Sequence, residues 1–277
     1  MHGGGGRGAG CDCDCEVAVK TSAIGWTDFS GGDLNFVTGC TPVSEGCQNC
    51  YARAIYERWG KDHSIVTAHE DKLNRLARAK FPEHSPKRGK EHRPMAFVCD
   101  TGDLFHESVP DDFIMYALEV LESRPDVIWQ VLTKRPERMR ETLRMGAPGA
   151  SLRENVWLGV TAENQRRANE RIPLLLDTPA AVRFVSVEPM LGEVDLRGGS
   201  GEIWPWAEAV LNGQGIDWVI CGAESGPHRR PFKVEWAQEL YEQCKDAAVP
   251  FFGKQDSGSR PGTPLLIEEQ IIHEWPE

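Results

Sequence analysis

Cys40, Cys47 and Cys50 fall within eleven residues, in a stretch whose Gly39, Pro42 and Gly46 suit a loop curled around a compact core. Thiolates are soft ligands that favour iron-sulfur clusters or zinc. Three of them leave one iron of a [4Fe-4S] cluster open to an outside ligand, which a catalytic cluster requires. A closed zinc site needs a fourth donor, for which Cys99, His63, His69 and His106 are the candidates. Spacing alone leaves the two metals balanced.

The elements that must position these thiols follow from the apolar runs. Met95 to Cys99, Val127 to Leu132, Val156 to Val160, Val182 to Val187, Trp218 to Cys221 and Val249 to Phe252 read as strands, with a weaker first one at Leu34 to Val37. Amphipathic stretches at Asp112 to Ser123, Pro136 to Met145, Glu163 to Leu176 and Val234 to Ala247 read as helices. Strand and helix alternate, the signature of an α/β protein with a parallel sheet. The length of 277 residues suits a β/α barrel.

Position then favours the cluster. The cysteine loop follows the presumed first strand, and barrel enzymes place their chemistry at the C-terminal ends of strands. The other strand ends carry polar groups that converge on the same mouth: Asp100, Gly102 and Asp103, then Lys134 and Arg135, then Glu163 and Asn164, then Glu188, then Glu224 and Ser225, and finally Lys254. Each one alone is explained by solvent contact or helix capping. Together they make a polar ring facing the thiols. Lys134, Arg135 and Lys254 are the candidates for an anionic substrate group, since fixed cations recognise phosphate and carboxylate.

Composition limits the rest. The formal net charge of −11 repels a polyanion unless a local basic surface receives it. Basic clusters occur at Lys87, Arg88, Lys90 and Arg93, at Lys134 to Arg140, and at Arg229 with Arg230, and each reads first as a solvated face. No apolar run approaches a membrane span, and nothing resembles a secretion signal, so a soluble cytoplasmic protein with no membrane partner is expected. Residues 1–20, rich in glycine and holding Cys11, Cys13 and Cys15, read as a disordered tail. Residues 21–277 read as a single domain with insertions near 61–93 and 197–215. Cys99, Cys221 and Cys244 read as small buried thiols.

Several phrases then form a resemblance. Gly25-Trp-Thr-Asp28, Phe36-Val-Thr-Gly-Cys40, Gly46-Cys-Gln-Asn-Cys-Tyr51, Asp103-Leu-Phe-His-Glu107, Gln130 to Arg138, Asn155 to Gly159, Val187 to Gly192, Asp217 to Ile220 and Glu224-Ser-Gly226 occur in order. They resemble the phage gene-37/gene-68 protein family, a radical-SAM-like family, over about residues 22–256. The resemblance implies a partial (β/α) barrel of the radical SAM type, with about six to seven parallel strands and peripheral helices. It implies a [4Fe-4S] cluster on Cys40, Cys47 and Cys50, with S-adenosylmethionine on the open iron. Asp100, Gly102, Asp103, Glu163, Asn164, Glu188, Glu224 and Ser225 are the cofactor contacts it points to. The activity implied is formation of a 5′-deoxyadenosyl radical, with a reductase as electron donor and a small-molecule or nucleic-acid-derived substrate. The gaps between the cysteines are six and two residues here, against three and two in the commonest radical SAM pattern. The reading from another class is a non-catalytic, zinc-stabilised, nucleic-acid-associated phage protein.

Overall fold

Apolar side chains on both faces of successive strands require layers on both sides of a sheet. The structure, a computed structural model, describes residues 19–145, 152–197 and 215–277. Cys11, Cys13 and Cys15, and the 198–214 stretch with Trp204 and Trp206, lie outside the described residues. In chain order the elements are β1 (Val37–Thr38), α1 (Tyr51–Arg58), β2 (Thr67–Ala68), α2 (Glu70–Leu76), β3 (Met95–Phe97) and α3 (Asp111–Glu122). There follow β4 (Ile128–Thr133), α4 (Pro136–Met145), β5 (Val156–Thr161), α5 (Gln165–Leu176), β6 (Val182–Val187), β7 (Trp218–Gly222), α6 (Val234–Asp246) and β8 (Phe251–Gln255).

Strands β3 to β8 form one parallel sheet in sequential order, curled into a partial barrel. Side chains alternate between its faces. Trp129, Val131, Val185 and Val187 pack outward with Leu118, Leu121, Ile172 and Leu240 of the helices. Phe97, Trp157, Phe184, Trp218, Ile220 and Phe252 fill the concave side. Trp26, from the segment before β1, plugs that side, with its ring 4.8 Å from Phe97 and 6.1 Å from Trp218. Helices α3 and α5 each bury one stripe, Ile114, Ala117, Leu118 and Leu121 in the first and Ala168, Ile172 and Leu175 in the second.

The expected first strand is corrected. Leu34 ends a 3₁₀ turn, Gly32–Leu34, and only Val37–Thr38 is extended, pairing antiparallel with β2 outside the parallel sheet. Gly31 and Gly32, at φ 80° and 59°, turn the chain there. The position beside β3 is held instead by two isolated bridges, Phe29 to Ala96 and Gly39 to Gly102. The 61–93 stretch supplies β2 and α2, and the Lys87 ammonium donates to the carbonyls of Ser22, Ile24 and Thr27. That cation closes the N-terminal segment and does not face a ligand. No helix among the described residues is long and apolar enough to cross a membrane.

Candidate metal centre

The cysteine loop leaves the sheet at Gly39, whose φ is 83° and where a Cβ would lie 2.1 Å from the Ile65 carbonyl oxygen. Only glycine fits. The Cys40 amide then donates to the His63 carbonyl at 2.8 Å. A 3₁₀ turn, Glu45–Cys47, carries the second thiol, and Cys50 immediately precedes α1. All three cysteines are half-buried and free of disulfides. Among the described residues, no three His, Cys, Asp or Glu side chains stand close enough to hold a metal ion without moving.

Each part of the loop is tied to a different strand end. Arg135, buried, donates from Nη1 to the Cys40 sulfur at 3.4 Å and from Nη2 to the Thr41 carbonyl and hydroxyl at 3.0 Å. Ser44 donates to Glu163 Oε1 at 2.5 Å, and Arg171 holds the other oxygen at 2.9 Å. Gly46 lies so near that a Cβ would meet Glu163 Oε1 at 2.3 Å. Glu45 accepts from Asn164 at 2.6 Å and Arg167 at 2.7 Å. Asn49 donates to Glu224 at 3.0 Å, and Arg230 joins Glu224 to the Glu45 carbonyl.

These neighbours set the charge states. Burial, followed by the Asp103 carboxylate, pushes the Cys40 thiol up to about 11, with Arg135 opposing. Burial also raises Cys47, but Lys134 and the backbone donors at Val43 and Ser44 outweigh it and leave that thiol below its usual value. Hydrogen bonds from Arg167 and Asn164 hold the Glu45 carboxyl down at about 2. Burial raises Asp100, although Asn35 donates to it at 2.5 Å.

The residues singled out in the sequence divide into two groups. Asp103, Glu163, Asn164, Glu224 and Arg135 are engaged within the protein. Asp103 accepts from Thr133 at 2.7 Å, Phe105 at 3.0 Å, Arg135 at 3.2 Å and the Lys134 amide at 3.3 Å. Asn164 caps α5 by accepting from the Arg167 amide at 3.0 Å, so the helix begins at Gln165 and not at Glu163. Arg135 spends all five N–H donors internally, which leaves none for a substrate anion.

The second group remains half-exposed. Asp100 and Gly102 flank Cys40 across the bridge to Gly39. Lys254 pairs with Glu188 over Gly222. Ser225 bridges to Gly258. Among the described residues Lys134 makes no ion pair, and it stands near Cys47, at the head of a cavity of about 860 Å³ running along α4 to Met145. That cavity lies on the helix side of the sheet, and acidic and basic side chains both line it.

Sequence reasoning missed Ser44, Glu45, Asn49, Arg167, Arg171 and Glu107. Ser44 and Glu45 lie inside the wide gap between Cys40 and Cys47, the one signal that pointed to them. The proposed fourth zinc donors are committed elsewhere. His63 contacts the Thr101 carbonyl, His69 the Thr38 hydroxyl and His106 the Thr41 hydroxyl, while Cys99 is buried in the core. Cys221 and Cys244 are buried as expected.

A sequential parallel half-barrel with a tethered three-thiol loop at its mouth defines a partial β/α barrel. The chain belongs to the family described as protein of unknown function (DUF5131), which matches residues 21–263. Among solved structures it is similar to a spore photoproduct lyase complexed with dinucleoside spore photoproduct, at 12% identity and a TM-score of 0.52. That likeness covers 89% of this chain and 80% of the other, and it is a likeness of fold. No curated protein matches.

Proposed function

We propose that the protein is a radical S-adenosylmethionine enzyme acting on a nucleic-acid-derived substrate, with Cys40, Cys47 and Cys50 as ligands of a [4Fe-4S] cluster. One observation carries this reading. Three half-buried thiols share one loop at the strand ends, with Arg135 and Lys134 beside two of them, and every candidate fourth protein donor is engaged elsewhere. The donor set fits the group, being soft and three in number, with one cation against Cys40 and another near Cys47. A cluster with S-adenosylmethionine on its open iron supplies one-electron reductive chemistry, for which a reductase is the donor.

The chain's own residues orient and shield. Asp100 and Gly102, next to Cys40, are suited to the amino and carboxylate groups of the cofactor. Glu188, Lys254 and Ser225 are suited to its nucleoside part or to substrate. Lys134 is the cation left for a substrate phosphate. Asp103, Glu163, Asn164 and Glu224 act through the loop, because hydrogen bonds within the protein already use them. The dinucleoside bound by the structurally similar lyase supports the substrate class.

The test is anaerobic purification with iron and sulfide analysis and paramagnetic spectroscopy, followed by a search for 5′-deoxyadenosine after adding S-adenosylmethionine and reductant. About four irons per chain and release of the nucleoside are expected. Alanine at any one of Cys40, Cys47 or Cys50 abolishes the signal, while alanine at Cys11, Cys13 and Cys15 together leaves it. A colourless protein with stoichiometric zinc overturns the proposal in favour of a non-catalytic, zinc-stabilised nucleic-acid-associated role.

A further inference from the structure

Arg135 is a cation at the strand ends that no anion from solvent can claim. Its side chain is 5% exposed, and its five donors have fixed partners. Nε donates to the two Glu107 oxygens at 3.0 and 3.1 Å, and Nη1 to Asp103 at 3.2 Å and the Cys40 sulfur at 3.4 Å. Nη2 donates to Thr41, whose hydroxyl is also bonded to His106 at 2.8 Å. Two carboxylates thus clamp a planar fork so that one arm points at a thiol sulfur. A salt bridge made for stability alone has no need of the sulfur contact.

Hydrogen bonds to ligand sulfurs and nearby charge are the means by which a protein sets the potential of a thiolate-bound iron-sulfur group. Reduction adds negative charge, and a buried cation stabilises the reduced state most where the dielectric constant is low. We infer that Arg135 is a positioning residue that fixes Cys40 and raises the reduction potential of the group held by the three thiols, with Glu107 moderating the effect by partly neutralising the guanidinium. The inference rests on the proposed cluster and goes beyond it. It takes Arg135 out of substrate binding and gives it a redox role.

The test is a spectroscopically monitored redox titration of the reconstituted protein, with iron counted per chain, for the wild type and for Arg135→Gln, Arg135→Lys and Glu107→Gln. Arg135→Gln shifts the potential negative, and Arg135→Lys, which keeps the charge but loses the fork, falls between it and the wild type. Glu107→Gln shifts it positive. A wild-type potential in an iron-replete Arg135→Gln protein overturns the inference, as does an unmoved or negative shift in Glu107→Gln. Glu107 has a side chain 64% exposed, so its variant decides the matter by sign if Arg135→Gln does not fold. Iron-free wild-type protein sinks the proposed function and this inference with it, whereas iron-replete protein with unmoved potentials sinks the inference alone.

Discussion

Glu163 and Arg171 form the most deeply buried ion pair beneath the cysteine loop, with side chains 0% and 4% exposed and 2.9 Å apart. Arg171 also donates to the Thr161 carbonyl, and Ser44 satisfies the second Glu163 oxygen. Removing one partner of such a pair strands the other charge in the interior, at a cost of about 3–5 kcal/mol. Glu163→Ala is therefore expected to lower unfolding free energy by that order in a urea titration. It also frees Ser44, so iron bound per chain falls below wild type. A variant as stable as the parent would mean that Arg171 finds solvent or another carboxylate.

At the scale of elements, the N-terminus of α5 does two jobs with one side chain. Asn164 accepts from the Arg167 amide as a helix cap and donates from Nδ2 to Glu45, on the 3₁₀ turn that carries Cys47. Asn164→Ala removes both contacts and is expected to cost ~1 kcal/mol, the usual worth of a cap. Asn164→Asp keeps the capping acceptor but sets a carboxylate against Glu45. Thermal melts should then show stability largely restored, while proteolysis of the 40–50 loop stays faster than in the wild type. Wild-type protection of the loop in both variants would show that Arg167 alone holds Glu45.

Across the whole molecule, the half-barrel keeps its cysteine loop at one end and its apolar plug on the concave side. Trp26, 2% exposed, packs against Phe97, Phe184 and Trp218, and its carbonyl accepts from the Trp275 indole at 3.4 Å. The C-terminal stretch adds to this wall, with His273 stacked on Phe252 at 4.2 Å and the Trp218 indole donating to the Glu274 carbonyl. Trp26→Ala is expected to lower global stability by about 3–5 kcal/mol through the cavity it leaves. The folded fraction should bind iron as the wild type does, because the thiols hang from the opposite rim. Loss of iron from fully folded Trp26→Ala protein would count against that separation.

The order of strands and helices was legible in the sequence because burial on both faces writes continuous apolar runs. Val182–Val187 appears as read, and β4 and β5 differ from their runs by a residue at one or both ends. The cysteine loop was legible for a local reason, since three soft ligands within eleven residues need no distant partner to be recognised. The first strand was not, because Gly31 and Gly32 turn the chain just before it, Leu34 ends a 3₁₀ turn and only Val37–Thr38 is extended. Nor was the division of labour among the polar strand ends. Arg135 and Lys134 are neighbours of similar charge, yet the first is closed off by Asp103, Glu107 and Cys40 and the second is left without an ion pair among the described residues. Those partners lie 28 to 95 residues away, and the Arg230 contact to Glu45 spans 185. The sequence by itself determined a parallel α/β chain with a three-cysteine loop at its strand ends. Only the tertiary structure decided which charges neutralise one another and which remain for a ligand, because that depends on where distant strand ends meet when the sheet curls.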